Sequence, residues 1–311
     1  MTSVGDAMTE VVGHTPLVRV RKVLPPGSAD VFVKLEWFNP TGSYKDRMAL
    51  AMIEEAEKRG DLKPGMTVVE YTGGSTGSSL AFVCAVKGYR FRVVSSDAFA
   101  IEKLRTMTAF GAELTIVPSD GGKITPDLVP RMIEKAKEFA AEPGTYFTDQ
   151  INNPDSLVGY RNIGDEIIDQ LDRPIDVFCG AVGTAGMVMG VAGAFAEAGS
   201  PARIVVFEPA STPVITRGEA GRHRVEGIGI GFVPPLLDSD AYHEARAIEE
   251  EEGREMARRL AAEEGLLAGI SSGLNVAGAM QIASELGLGH TVVTVAVDTG
   301  LKYLGGDLFE P

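Results

Sequence analysis

The chain has almost no cysteine. Its 311 residues include two, Cys84 and Cys179, far apart in the apolar stretches Ala81-Phe82-Val83-Cys84-Ala85-Val86 and Asp176-Val177-Phe178-Cys179-Gly180. That pair offers neither a disulfide framework nor metal-ligand spacing, so buried, unreactive thiols are expected and no metal site. Positive charge is scarce as well: 29 Lys and Arg against 43 Asp and Glu leave a formal charge of −14. This argues against a nucleic-acid surface or an anionic membrane as partner, since both require basic patches. The start, Met1-Thr2-Ser3-Val4-Gly5-Asp6, lacks a basic region followed by an apolar run. Together with the cysteine usage, that leads us to expect a cytoplasmic protein. Residues Val177 to Ala196 carry no charge, but Gly180, Gly183, Gly186, Gly190 and Gly193 interrupt them. A buried strand, a glycine turn and a small-residue helix fit that spacing better than a membrane span. No fixed-period repeat and no low-complexity linker is present.

What the chain does have is the composition of a globular protein, 44% hydrophobic and 23% charged, with room for one large or two ordinary domains. After a short strand near Leu17 to Val20 and a second over Val31 to Glu36, helix and strand patterns alternate. Helices are expected from Lys45 to Arg59, Ser78 to Lys87, Ile101 to Phe110 and Leu128 to Ala140. Strands are expected over Thr67 to Tyr71, Arg90 to Ser95, Glu113 to Val117 and Tyr146 to Gln150. Beyond Asn152-Asn153-Pro154 the alternation resumes, with strands Ile175 to Gly180, Ala202 to Phe207 and Thr291 to Val297 and helices at Ser156 to Leu171, Gly186 to Ala198, Glu249 to Glu264 and Gly273 to Leu286. This is the rhythm of mostly parallel sheets flanked by helices, an α/β protein with two open twisted sheets. The acidic run Glu249 to Glu252 is read as a solvated helix face.

The stretch Asn39-Pro40-Thr41-Gly42-Ser43-Tyr44-Lys45-Asp46-Arg47 places a lysine in the first turn of a helix. Pro40 and Gly42 mark the turn and Ser43 suits an N-cap. Helix N-termini carry partial positive charge and favour anions, so Lys45 is out of place electrostatically. A lysine held in a positive, desolvated site has its amine pKa lowered and becomes a nucleophile for carbonyl compounds.

Three further turns are rich in small residues. Thr72-Gly73-Gly74-Ser75-Thr76-Gly77 follows a strand and opens a helix, presenting N–H groups and hydroxyls to an anion. As a glycine loop alone it reads equally well as a tight structural turn. Gly183-Thr184-Ala185-Gly186-Met187 stands in the same relation to its own strand and helix and is suited to a phosphate. A dinucleotide reading of it is weaker, because no Gly-x-Gly-x-x-Gly fingerprint is present there. In Gly269-Ile270-Ser271-Ser272-Gly273, either serine serves as the N-cap of the helix that follows.

The lysine stretch resembles, almost residue for residue, that of the cysteine synthase and cystathionine β-synthase family, fold-type II enzymes that use pyridoxal 5′-phosphate. The resemblance extends from Gly13-His14-Thr15-Pro16-Leu17 to Asp298-Thr299-Gly300-Leu301-Lys302-Tyr303-Leu304. It implies a tryptophan synthase β-like fold with the active site in the interdomain cleft. A smaller domain over 38–150 would carry the lysine and substrate loop, and a larger one over 1–37 and 151–311 the phosphate loop and a pyridine-nitrogen serine. It makes Lys45 the Schiff-base lysine, and gives the cofactor phosphate to Gly183, Thr184, Ala185, Gly186 and Met187. Ser271 goes to the pyridine nitrogen. The substrate carboxylate falls to Thr72, Gly73, Gly74, Ser75, Thr76 and Gln150, and Gly227 to the active-site glycine segment Glu226 to Pro234. The family's common loop has serine at the place of Gly73 and asparagine at that of Ser75, where it contacts the cofactor's ring oxygen. Its phosphate loop ends in threonine where this chain has Met187.

A neutral hydroxyl at the pyridine nitrogen does not hold a proton there, which favours β-substitution or β-elimination over transamination. The implied reaction is that of a cysteine synthase, O-acetyl-L-serine and sulfide giving L-cysteine and acetate. A β-eliminating lyase, such as a cysteine desulfhydrase or a serine/threonine dehydratase, and a thiol-adding cystathionine β-synthase are the alternatives. A non-catalytic binding relative is set against the retained Lys45. The implied assembly is a homodimer whose partners are a small amino-acid substrate and a thiol or sulfide.

Overall fold

The computed structural model describes residues 5–122, 125 and 127–310, so the reading of the N-terminal start lies partly outside the described residues. In chain order the first elements are strands β1 (Leu17–Val20) and β2 (Asp30–Leu35), helix α1 (Lys45–Arg59), β3 (Thr67–Tyr71), α2 (Ser75–Lys87) and β4 (Arg90–Ser96). There follow α3 (Ile101–Ala109), β5 (Glu113–Val117), α4 (Leu128–Ala140), β6 (Thr145–Phe147), α5 (Asp155–Gln170), β7 (Val177–Ala181) and α6 (Gly186–Glu197). The last are β8 (Arg203–Pro209), β9 (Glu244–Ile248), α7 (Glu250–Arg259), α8 (Ile270–Leu286) and β10 (Thr291–Ala296). The chain divides into two compact units, one made of the segment ending at Val12 with Lys45–Gly159, the other of Gly13–Tyr44 with everything from Tyr160 onward.

The first unit holds a four-stranded sheet in the order β5-β4-β3-β6, parallel throughout. Every residue of β3 is buried, as expected of a central parallel strand covered on both faces. On one face Val69, Tyr71 and Val94 pack with Leu128, Met132, Ala136 and Phe139 of α4. The strand expected to run to Gln150 stops at Phe147. Asp149 there turns to a φ of 45°, and the buried Glu70 carboxylate takes the Thr148 hydroxyl and the Gln150 N–H.

The second unit holds a six-stranded sheet in the order β1-β2-β10-β7-β8-β9, in which only β1 runs antiparallel, to β2. Val31, Val33, Val177, Cys179, Val205, Phe207 and Val292 meet Leu274, Ala277 and Ile282 of α8 in one core. The stretch over 177–196 resolves into β7, a turn and α6, and no helix among the described residues is long and apolar enough to cross a membrane.

Two helices also differ from the sequence expectation. The helix expected from Glu249 to Glu264 is α7 followed by a π-helical turn, Leu260–Glu264. And α8 begins at Ile270, with Gly269 as an N-cap that offers no side chain, so neither Ser271 nor Ser272 caps it. Both cysteines are free and buried, and burial pushes each thiol up to about 12.

Candidate active site

In the first unit Lys45 is the first residue of α1 and is 8% exposed, with Asp46 and Arg47 buried beside it in the same turn. The residue before it is fixed in place: Tyr44 donates its N–H to the Val297 carbonyl, 2.9 Å. Ser43 forms an isolated bridge with Asp298.

The carboxylate-binding candidates of this unit come together where β3 gives way to α2. Thr72 Oγ1 accepts from Gly74 N at 3.1 Å, which leaves its own proton for a ligand. Thr76 donates its hydroxyl to Gln150 Oε1 at 2.8 Å, and Gln150 Nε2 donates to the Tyr71 carbonyl at 3.3 Å. Residues 76 and 150 are thus joined by a hydrogen bond, although they are distant in sequence. Ser75 is the first residue of α2, whose N-cap Gly74 supplies no side-chain hydrogen bond, so the helix presents its first amide donors uncapped.

Sequence reasoning missed Glu70, which anchors this network from beneath. Its Oε2 accepts from Thr148 Oγ1 at 2.7 Å and Gln150 N at 3.0 Å, and its Oε1 from Tyr71 N at 2.8 Å. Burial pushes the carboxyl up to about 7 against the pull of those three donors. The folded value lies above the 4.5 of an unperturbed glutamate. This group's contribution to stability is therefore complete below about pH 4.5 and is lost as pH rises through about 7. The stability of the wild type relative to Glu70→Gln should accordingly fall by up to about 3 kcal/mol between pH 4.5 and 8. Parallel thermal or urea melts of the two proteins check this, and a pH-independent difference would remove the buried titration.

In the second unit the turn at 183–187 leads into α6. Ala185 is its N-cap, held at a φ of 68° without a side-chain hydrogen bond. Thr184 is buried. A β-carbon built on Gly183 would lie 2.2 Å from the Gly227 carbonyl oxygen, so the glycine segment runs directly against this turn. Gly229 N donates to the Val182 carbonyl at 3.0 Å, and His223 Nε2 bonds the Gly229 carbonyl at 2.8 Å. Met187 is buried, and its side chain lies over β7, where a β-carbon on Gly180 would meet its Cε at 2.8 Å. It adds no polar group to the turn. Backbone amides at an uncapped helix start, one hydroxyl and no carboxylate in residues 182–187 suit a phosphate group.

Ser271 lies in the first turn of α8, 3% exposed. Its neighbour is committed, Ser272 Oγ accepting from Val297 N at 2.9 Å. Tyr303 closes this end of the helix, donating to Asp298 Oδ2 at 2.8 Å. Burial, and then the Asp298 charge, raise its phenol pKa well above the ordinary value. A buried hydroxyl in the first turn of a helix suits a ring nitrogen acceptor.

Comparison with known proteins follows the same lines. A family model described as pyridoxal-phosphate dependent enzyme matches residues 8–298. The chain is 42% identical over 306 residues to a cysteine synthase of Staphylococcus aureus (strain Mu50), covering 98% of this chain and 97% of that one. It is 38% identical over 305 residues to a probable cysteine synthase of Bacillus subtilis (strain 168), covering 96% of each. The crystal structure of cysteine synthase from Entamoeba histolytica superposes with a TM-score of 0.92 at 32% identity, covering 99% of this chain and 91% of that one.

Proposed function

The chain belongs to the pyridoxal-phosphate dependent enzymes of the cysteine synthase and cystathionine β-synthase family, and from that membership we propose that it catalyses cysteine synthase-like β-replacement. In this reaction the β substituent of an amino acid such as O-acetyl-L-serine leaves, and sulfide takes its place. The observation that carries this reading is Lys45, a buried amine at the head of α1, in a chain 42% identical to a cysteine synthase over nearly its full length.

When bound, pyridoxal 5′-phosphate supplies a carbonyl for a lysine amine and a conjugated ring that accepts the electrons of a breaking Cα–H bond. The amides and Thr184 hydroxyl of the turn at 183–187 would hold its phosphate, and the Ser271 hydroxyl its ring nitrogen, without protonating it. Lys45 Nζ would hold its carbonyl carbon at rest and take up the α-proton of the amino acid during turnover. Thr72, Thr76 and Gln150 would fix the substrate's carboxylate and so orient its Cα–H bond. Orientation of this kind is worth up to about 7–11 kcal/mol of a barrier in favourable cases. We also take the enzyme to be cytoplasmic and a homodimer, and light scattering of the purified protein tests the dimer.

The deciding experiment is to supply the purified protein with pyridoxal phosphate, O-acetyl-L-serine and sulfide and to measure L-cysteine and acetate. Cysteine formed in step with acetate supports the reading. Pyruvate and ammonia in place of cysteine, at the same rate with or without sulfide, would reassign the chain to a lyase. A protein that neither acquires a visible absorption band with the cofactor nor consumes the amino acid would overturn the reading.

A further inference from the structure

Gly73 stands in the carboxylate loop of the first unit at a position where the family's common form has serine. The structure shows what fills the space. A β-carbon built on Gly73 would meet the ring of Phe99 at 2.2 Å from Cγ, 2.2 Å from Cδ1 and 2.3 Å from Cδ2. Three ring atoms at nearly equal distance mean that the ring lies across the glycine and occupies the volume of a side chain there. Non-bonded carbons settle at about 3.5–4.0 Å, so no residue with a β-carbon fits at 73 unless the ring moves by more than an ångström.

Phe99 is placed by its own surroundings. It lies in the turn between β4 and α3, its N–H donating to the Ser96 carbonyl at 3.3 Å. It packs against the cluster of Tyr71, Val94 and Leu128 that also supports the end of β3. Beyond it opens a cavity of about 310 Å³ lined by Asp97, Ile101, Leu104 and Ile116. The ring therefore stands between the loop and an open space, with the glycine as the wall on the loop side.

Resting on the cysteine synthase-like reading, we propose that Phe99 is a specificity-determining residue that positions the carboxylate loop in place of a side chain at 73. The ring holds the Gly73 backbone from outside while the loop gives up one hydroxyl. Recognition of the α-carboxylate then falls to the Thr72 hydroxyl, the Gln150 amide and the amides at the start of α2. Those donors depend on the loop's backbone path, since Thr72 Oγ1 is itself set by Gly74 N at 3.1 Å. Removing the ring frees that path, and placing serine at 73 while the ring remains forces it aside.

The test uses the holoenzyme and four variants: Phe99→Ala, Phe99→Leu, Gly73→Ser and the double change Gly73→Ser with Phe99→Ala. Two readouts are taken, KM and kcat with O-acetyl-L-serine and sulfide, and the visible-band titration with L-serine and with L-serinamide, which lacks the carboxylate. Phe99→Ala and Gly73→Ser should each raise KM about tenfold with kcat little changed, and should lose most of the preference for L-serine over its amide. In the double variant the serine enters the vacated volume, and KM should return to within about threefold of wild type, a coupling that independent sites do not show. Phe99→Leu keeps most of the apolar bulk and should fall between, which keeps the test open if the alanine variant melts below assay temperature. Unchanged KM and preference in Phe99→Ala and Phe99→Leu, or additive effects in the double variant, would overturn the proposal. A wild-type protein whose visible band responds to no L-amino acid would instead bring down the functional reading beneath it.

Discussion

Lys45→Ala is expected to yield a folded protein whose turnover of O-acetyl-L-serine has fallen by three or more orders of magnitude. A positioned general acid–base alone is typically worth about 10²–10⁴ in rate, and in the proposed reading this one amine serves both as the cofactor's anchor and as the base. The change removes a side chain that is 8% exposed at the first residue of α1, where alanine is a good helix former. The fold therefore has little reason to fail. The variant should still take up pyridoxal phosphate through the turn at 183–187, but the bound cofactor should be free of covalent attachment. Borohydride reduction followed by mass spectrometry reads this directly, with a label on the peptide containing Lys45 in the wild type and none in the variant. Lys45→Arg, which keeps the charge but forms no imine, should be equally inactive and so separates chemistry from electrostatics. Cysteine formation by the alanine variant at more than about a tenth of the wild-type rate would take Lys45 out of the role.

The place of Lys45 at the head of a helix was legible because its signal is local: nine consecutive residues carry it. The sheet strands were legible for the same reason, since β3, β7 and β10 are short apolar runs buried along their whole length. What escaped depends on residues far apart in the chain. Strand β9, Glu244–Ile248, is an edge strand of mixed polarity, and only its pairing with Val205 to Pro209 on β8 makes it one. The start of α8 at Ile270 was hidden by glycines and serines of poor helix propensity. There Gly273 lets the helix press on α7, a β-carbon at that place meeting the Gly253 carbonyl oxygen at 2.1 Å. Glu70 did carry a signal, a carboxylate inside a strand expected to be buried on both faces, which requires donors from elsewhere. Phe99 carried none, because its meaning lies in a glycine 26 residues earlier. Of the three departures from the family pattern that the sequence exposed, those at 73 and 187 have the same physical explanation, and nothing in the structure explains the one at 75. A glycine and a large side chain share one volume in each case, Gly73 with Phe99 and Gly180 with Met187.

Gly183→Ala should release the cofactor from a protein that otherwise remains folded. The added methyl would lie 2.2 Å from the Gly227 carbonyl oxygen and 3.6 Å from Ile228 Cα, and neither neighbour can retreat cheaply. The glycine segment is tied to the turn by Gly229 N to the Val182 carbonyl at 3.0 Å. His223 Nε2 holds the Gly229 carbonyl at 2.8 Å, and Val225 and Ile228 are buried on either side of Gly227. The turn itself must therefore shift, and with it the Thr184 hydroxyl and the first amides of α6. Overpacking of this kind costs about 1–3 kcal/mol of stability. A displacement of about 1 Å at a binding group costs about a hundredfold in function, so the effect on the phosphate should exceed the effect on the fold. Equilibrium dialysis of pyridoxal phosphate is expected to show a dissociation constant raised about a hundredfold, with the melting temperature of the apo protein lowered by a few degrees. Gly193→Ala, in the same helix but exposed and with nothing within 4 Å of the new methyl, provides the matched control. It should leave cofactor affinity unchanged and stabilise the protein by about 0.5–1 kcal/mol through helix propensity. If Gly183→Ala instead binds the cofactor within about threefold of wild type, an amide cradle that depends on this close approach is the wrong account of the phosphate site.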